Sequence, residues 1–116
     1  MLYGLSAATR YYLYTRSTDM RKSFDGLCGL VKNHLGCNPL TGDVFIFVNR
    51  RCTLIKLLVW DQTGFVIYYK RLEKGTFEVP QASKGRYSLQ IPRRTLMLML
   101  EGVSLDSIAM RKRYYR

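Results

Sequence analysis

The sequence predicts an α+β domain: an antiparallel β-meander sheet packed by an N-terminal amphipathic helix and a short C-terminal helix. Three observations carry that prediction. Apolar residues recur at helical spacing between positions 20 and 35. Short β-favouring runs then alternate with polar or glycine-bearing turns, and a compact Leu/Met run follows them. The resulting order is β-α-β-β-β-β-(β)-α, helices segregated against an antiparallel sheet.

Taking the elements in order, "YYLY" (11 to 14) is aromatic and β-favouring and reads as a short strand. Thr18 or Asp19 then offers an N-cap for a helix running to about Leu35. Met20, Phe24, Leu27, Val31 and Leu35 fall on one face of that helix, while Arg21, Lys22, Asp25 and Lys32 lie off it. Gly26 and Gly29 each cost a helix ~1 kcal/mol relative to alanine, which predicts a close approach by another backbone. Gly36 is placed to end the helix.

Asn38-Pro39 and Gly42-Asp43 bracket a turn. "VFIFV" (44 to 48), "TLIKLLVW" (53 to 60), "FVIYYKRL" (65 to 72) and "TFEV" (76 to 79) follow as meander strands. In the second of these, Ile55, Leu57 and Val59 form one face and Leu54, Lys56, Leu58 and Trp60 the other. Both faces are largely apolar, so cover is expected on each: the helix on one, the C-terminal segment or a second subunit on the other. "YSLQIP" reads as a short edge strand stopped by Pro92. "RRTLMLMLEG" reads as a short buried helix closed by Gly102.

The length suits one domain, residues 1–116, with a basic tail at about 104–116. Its apolar content of 47% is enough to build a core without metals or disulfides. The most apolar segment, Val44 to Val48, is far short of the ~20 residues that span a bilayer, so no membrane partner is expected. "MLYGLSAATR" has no basic region before its apolar part, so a signal peptide is not expected and the cytoplasm is the default compartment.

Cys28, Cys37 and Cys52 are odd in number and read as reduced thiols. With His34 they make four ligand-type side chains, but at irregular spacings without a C-x-x-C pair; no metal or other cofactor is expected. His34 is accounted for by a role at the helix C-terminus. A Mg²⁺ nuclease needs converging carboxylates. Asp61 and Glu73, at opposite ends of one predicted strand, stand some 25 Å apart at ~3.3 Å per residue. Phosphate-binding glycine loops and nucleophile-elbow patterns are absent from the sequence. The reading is therefore a non-enzyme.

Charge gives the positive signal. Nineteen Lys and Arg against eight Asp and Glu leave a formal +11, which favours polyanionic partners, nucleic acid first among them. Three basic surfaces stand out: Arg50 and Arg51 in a hairpin turn, Lys70, Arg71 and Lys74 near the next hairpin end, and the "RKRYYR" tail with Arg111, Lys112 and Arg113. Arg21 and Lys22 add a fourth, because cations at a helix N-terminus oppose the macrodipole and a purely structural design would avoid them. Against this stand an Arg21–Asp25 pair at i,i+4 and simple solvation.

"YLYTRSTDMRKSFDGLCGLV", "NPLTGDVFIFVNRR", "IKLLVWDQTGF" and "YYKRLEKGTFEVP" together resemble the TnpB accessory protein of the insertion-sequence-66 family of bacterial transposable elements (unrelated to the RNA-guided nuclease of the same name). The likeness runs from about Tyr12 to Pro80, in the family's segment order. It covers Asp19, Met20, Arg21, Lys22, Phe24, Asp25, Gly26 and Leu27, then Pro39, Gly42, Phe45 and Phe47. Further on it covers Lys56, Trp60, Asp61, Gly64, Tyr68 to Glu73, Gly75 and Phe77. Ser23 stands where glycine is common, and beyond Pro80 the likeness fades to "LMLMLEGVSL". The resemblance implies a non-catalytic accessory role in DNA transposition beside a separate transposase. Two tasks fit: binding transposon-end or target DNA through basic surfaces, or bridging and activating the transposase. Whether the chain forms a homo-oligomer is left open.

Overall fold

A computed structural model describes residues 6–102. In chain order the elements are β1 (Tyr11–Tyr14), α1 (Phe24–Asn33), a 3₁₀ turn (Pro39–Thr41), β2 (Val44–Val48), β3 (Leu54–Asp61), β4 (Gly64–Arg71), β5 (Ser88–Ile91) and α2 (Arg93–Leu100). One five-stranded sheet contains all the strands, in the order β4-β3-β2-β1-β5.

The sheet is mixed rather than a pure antiparallel meander. β1 and β2 pair in parallel, with Tyr11 beside Val44 and Leu13 beside Ile46, whereas the other three pairings are antiparallel. The cause is the connection. Parallel neighbours need a long crossover, usually helical, and α1 lies between these two strands in the chain. The β2–β3 and β3–β4 hairpins form as expected, β3 and β4 each within one residue of the predicted bounds.

Residues 76–79 form no strand. Gly75 takes a left-handed conformation, and the chain leaves the sheet plane. Phe77 then enters the core, with its N–H donating to Cys52 O at 2.6 Å. Among the described residues β4 is therefore left as an edge.

Both sheet faces are covered. On one, Tyr11, Leu13, Val44, Ile46, Ile55, Leu57 and Val59 pack with Phe77, Ile91 and the α2 residues Leu96, Met99 and Leu100. On the other, Tyr14, Phe45, Phe47 and Leu58 meet Leu27 and Val31 of α1. The alternation read for β3 is thus realised, and α2, closed at Gly102, supplies the second cover.

α1 starts later than its periodicity suggests, and neither Thr18 nor Asp19 caps it. Thr18 N–H donates to Val48 O at 2.9 Å, and Asp19 Oδ1 accepts the Arg21 N–H at 2.9 Å. Lys56 supplies the deciding interaction. This side chain projects from the middle of β3, only 6% exposed, and its ammonium donates to Met20 O at 2.7 Å and Lys22 O at 2.8 Å. Those two carbonyls are directed at the ammonium instead of along a helix axis, and the first helical bond is Leu27 N–H to Ser23 O. Met20 still packs against the α1 side of the core, but Phe24, read as a stripe residue, is exposed.

The two helical glycines do not face another backbone. A Cβ at Gly26 would lie 3.1 Å from Lys22 Cβ, so Gly26 makes room for the Lys22 stem, while the space at Gly29 is open. At the other end His34 is the C-cap residue, and Gly36, in left-handed conformation (φ 64°), turns the chain out. His34 Nδ1 lies 3.2 Å from Tyr14 Oη, tying the helix end to β1.

Replacing Lys56 with Met keeps the stem but deletes both bonds to the 20–22 backbone. Urea unfolding of Lys56→Met should show a loss of about 2 kcal/mol, with faster amide exchange at Arg21 to Phe24. An unchanged midpoint and unchanged exchange would mean that the ammonium does not pin this segment.

Candidate nucleic-acid interface

Strand directions decide which loops share an end of the sheet. β1, β2 and β4 run one way and β3 and β5 the other. The residues after β1, β2 and β4, and those before β3 and β5, therefore gather at one end. That end carries Arg16, Arg50, Arg51, Arg71, Lys74 and Arg86, all exposed. Arg10, Asp43, Asp61, Arg93 and Arg94 lie at the opposite end, where Arg10 faces Asp43 at 3.8 Å.

The β2–β3 turn is built to project its arginines. Asn49 Oδ1 accepts the N–H groups of Thr53 and Leu54, both at 2.9 Å, and Cys52 N–H closes onto Asn49 O at 3.0 Å. Arg50 and Arg51 occupy the two central positions, with Cys52 following in left-handed conformation. Beside this turn the β1 end opens a cleft of about 180 Å³ whose polar lining comes from Thr15, Arg16, Ser17, Asn49, Arg50 and Gln81. The Arg16 guanidinium sits 4.6 Å over the Tyr87 ring, a cation–π contact that fixes its direction. Thr15 holds the adjoining strand through its N–H to Tyr87 O at 3.0 Å and its hydroxyl to Arg86 O at 2.6 Å.

Of the cations singled out in the sequence, Arg50, Arg51, Arg71 and Lys74 come together at this end. Lys70 does not join them as a free charge, because its ammonium turns inward and donates to Leu100 O at 2.5 Å, capping the last turn of α2. Arg71 donates to Glu73 Oε2 at 2.9 Å, and that carboxylate raises the guanidinium's pKa. Arg21 and Lys22 lie just before the helix, ahead of the N-cap Ser23, rather than in its first turns. Arg21 pairs with Asp19, not Asp25: Nη2 to Oδ2 is 2.6 Å. Arg111, Lys112 and Arg113 lie outside the described residues.

Arg16 and Arg86 escaped the sequence reading. Neither belongs to a basic cluster in the chain, and only the parallel β1–β2 pairing sets Arg16 beside Arg50. Among the described residues no three His, Cys, Asp or Glu side chains converge as a metal site, and no helix is long and apolar enough to cross a membrane. The three cysteines are free thiols, and burial raises the pKa of Cys28 and Cys37.

Comparison with known proteins adds the family. The model of the family described as IS66 Orf2-like protein matches residues 9–110. A Sinorhizobium fredii relative named as the uncharacterized protein y4jC is 34% identical over 82 residues, covering 71% of this chain and 70% of its own. A second from the same organism, the uncharacterized protein y4hO, is 35% identical over 94 residues, covering 81% and 80%. No solved structure matches the chain.

The Arg21 hydrogen bond is the main cause that lowers the Asp19 carboxyl from 3.8 to about 2. A depressed carboxylate stabilises the fold above its unfolded pKa and loses that contribution as pH falls through the folded value, here between 3.8 and about 2. Titration followed by carboxyl NMR should place Asp19 near 2 in the wild type and higher in Arg21→Ala, short of a full return to 3.8 because the backbone N–H of residue 21 still donates to Oδ1. Equal values in both proteins would show that the pair does not persist in solution.

Proposed function

We propose that this chain, which belongs to the IS66 Orf2-like family, is a non-catalytic accessory protein of DNA transposition that binds DNA through the basic end of its sheet. The observation that carries the reading is the gathering of Arg16, Arg50, Arg51, Arg71, Lys74 and Arg86 at one end by strands that are far apart in sequence. Six cations on four separate segments form a surface rather than a run. Its rigid part is the Arg16–Arg50 cleft, where stacking on Tyr87 and the Asn49-braced turn hold two guanidinium groups ready for phosphate oxygens. Arg71 and Lys74 extend the surface toward the β4 end. The Arg21 side chain lies outside this surface and is already paired with Asp19.

Nothing in this surface resembles a helix shaped for major-groove reading, so the contacts are assigned to backbone phosphates. Binding of that kind is sequence-tolerant and strongly salt-dependent. A second reading, an adaptor that bridges or activates the transposase, draws on the exposed Phe24 and Leu40. It predicts a complex with the transposase that survives high salt.

Fluorescence anisotropy of labelled duplex DNA against salt tests the first reading. Each phosphate contact adds about 0.9 to the slope of log affinity against log salt. Arg16→Ala/Arg50→Ala should lower that slope by about 2, whereas Arg93→Ala/Arg94→Ala at the far end should leave it unchanged. Equal losses in the two double variants would reduce the basic end to general electrostatic attraction and favour the adaptor.

A further inference from the structure

The two edges of the sheet are treated differently. β5 is an edge of four residues, bounded by Pro92. β4 is an edge of eight residues, GFVIYYKR, without proline. Edge strands of soluble proteins are normally guarded by charge, proline, bulges or brevity. The β4 edge has one lysine along its run, and that lysine is disarmed: Lys70 is turned inward onto Leu100 O. Residues 76–79, which the meander pattern would lay alongside β4, instead leave the sheet and send Phe77 into the core. Val66 and Tyr69 remain 40% and 52% exposed on this strand.

The hydrogen-bonding phase of the open edge follows from the register. Leu72 N–H donates to Thr53 O, so the even-numbered residues of β4 face β3 with their backbone groups. Phe65, Ile67, Tyr69 and Arg71 then present N–H and C=O to the outside. We propose that this edge pairs with the same edge of a second copy, antiparallel about a two-fold axis through Ile67, to make a continuous ten-stranded sheet in a dimer.

Self-pairing is favoured over another occupant by its side-chain and charge complementarity. With Ile67 on the axis, Phe65 of each copy lies across from Tyr69 of the other, and Val66 across from Tyr68, so aromatic and β-branched side chains pair on both faces. The hairpin tip bearing Asp61 comes beside the exposed Arg71 of the second copy. Despite the chain's net charge of +11, this edge is close to neutral, because Lys70 and Arg71 are offset by Asp61 and Glu73. Two copies therefore meet where repulsion is least. Pairing over one strand gives an interface at the low end of specific sizes, so the dimer is concentration-dependent. Where the DNA reading above holds, a two-fold axis normal to the sheet points the two basic ends in opposite directions, placed to engage two DNA segments.

Sedimentation of the full chain without DNA tests the pairing separately from the DNA reading. The wild type should pass from the 13.5 kDa monomer to twice that mass across the micromolar range. Ile67→Pro removes an outward N–H that the monomer does not use, and Val66→Lys supplies the missing guard. Both should remain monomeric, with circular dichroism matching the wild type. A wild type that is monomeric throughout would overturn the proposal, as would a dimer that persists in both folded variants. A monomer that instead takes up the transposase through β4 would give this edge to that partner and equally overturn it.

Discussion

Tyr11, Tyr12 and Leu13 lie beside Val44, Phe45 and Ile46 with both strands running the same way, and the chain between them, residues 15 to 43, must return across the sheet to allow it. That return includes α1, which covers one face over Leu27 and Val31. The same pairing sends the loop after β1 and the loop after β2 out at the same end. With an antiparallel β1–β2 pair, Arg16 and Arg50 would sit at opposite ends and the cleft between their loops would not exist. Open α/β sheets gather binding loops at the carboxyl ends of their parallel strands, and here a single parallel pair is enough to do so.

The return across the sheet is held at both ends of α1 by polar contacts. At its start, the buried ammonium of Lys56 takes two backbone carbonyls and lies 4.6 Å over the Tyr69 ring. Carbonyl dipoles and a π face substitute for a carboxylate, so the charge is satisfied without adding an anion to a strongly basic protein. At its finish, His34 meets Tyr14 and Tyr87, and Tyr87 in turn carries Arg16. The helix that makes the parallel pairing possible is thereby coupled, through two aromatic rings, to a guanidinium of the proposed DNA surface. Lys70 has a similar structural duty on the other face, where it caps α2. Basic side chains in this fold thus divide between those spent on the backbone, such as Lys56 and Lys70, and those left exposed, such as Arg50 and Arg51.

Much of this was legible in the sequence because it is local. β1, the two hairpins, the Arg50-Arg51 turn and the buried Leu/Met helix follow from alternation, turn residues and glycine or proline stops within a few positions. The larger failures originate in contacts distant along the chain. The helix start moved because Lys56 claims the carbonyls of Met20 and Lys22, a contact no periodicity encodes. Residues 76–79 alternate like a strand, yet Phe77 is buried in the same core cluster as Ile91 and Met99 instead of standing on an edge. Arg16 stood alone in sequence and gained its neighbours only through pairing. The presence of a helix between two strands was the available signal for parallel pairing, and with it the meeting of Arg16 and Arg50 could have been read.

The claim on which the functional account turns is that DNA meets one end of the sheet. Backbone amide shifts of the labelled protein, recorded while a short duplex is added, locate that contact residue by residue. The account predicts that the changes concentrate at Thr15 to Ser17, Asn49 to Thr53, Leu72 to Gly75 and Arg86 to Tyr87, with Gln62 to Gly64 and Arg93 to Thr95 silent. Changes centred on the far end, or spread evenly over both, would contradict it.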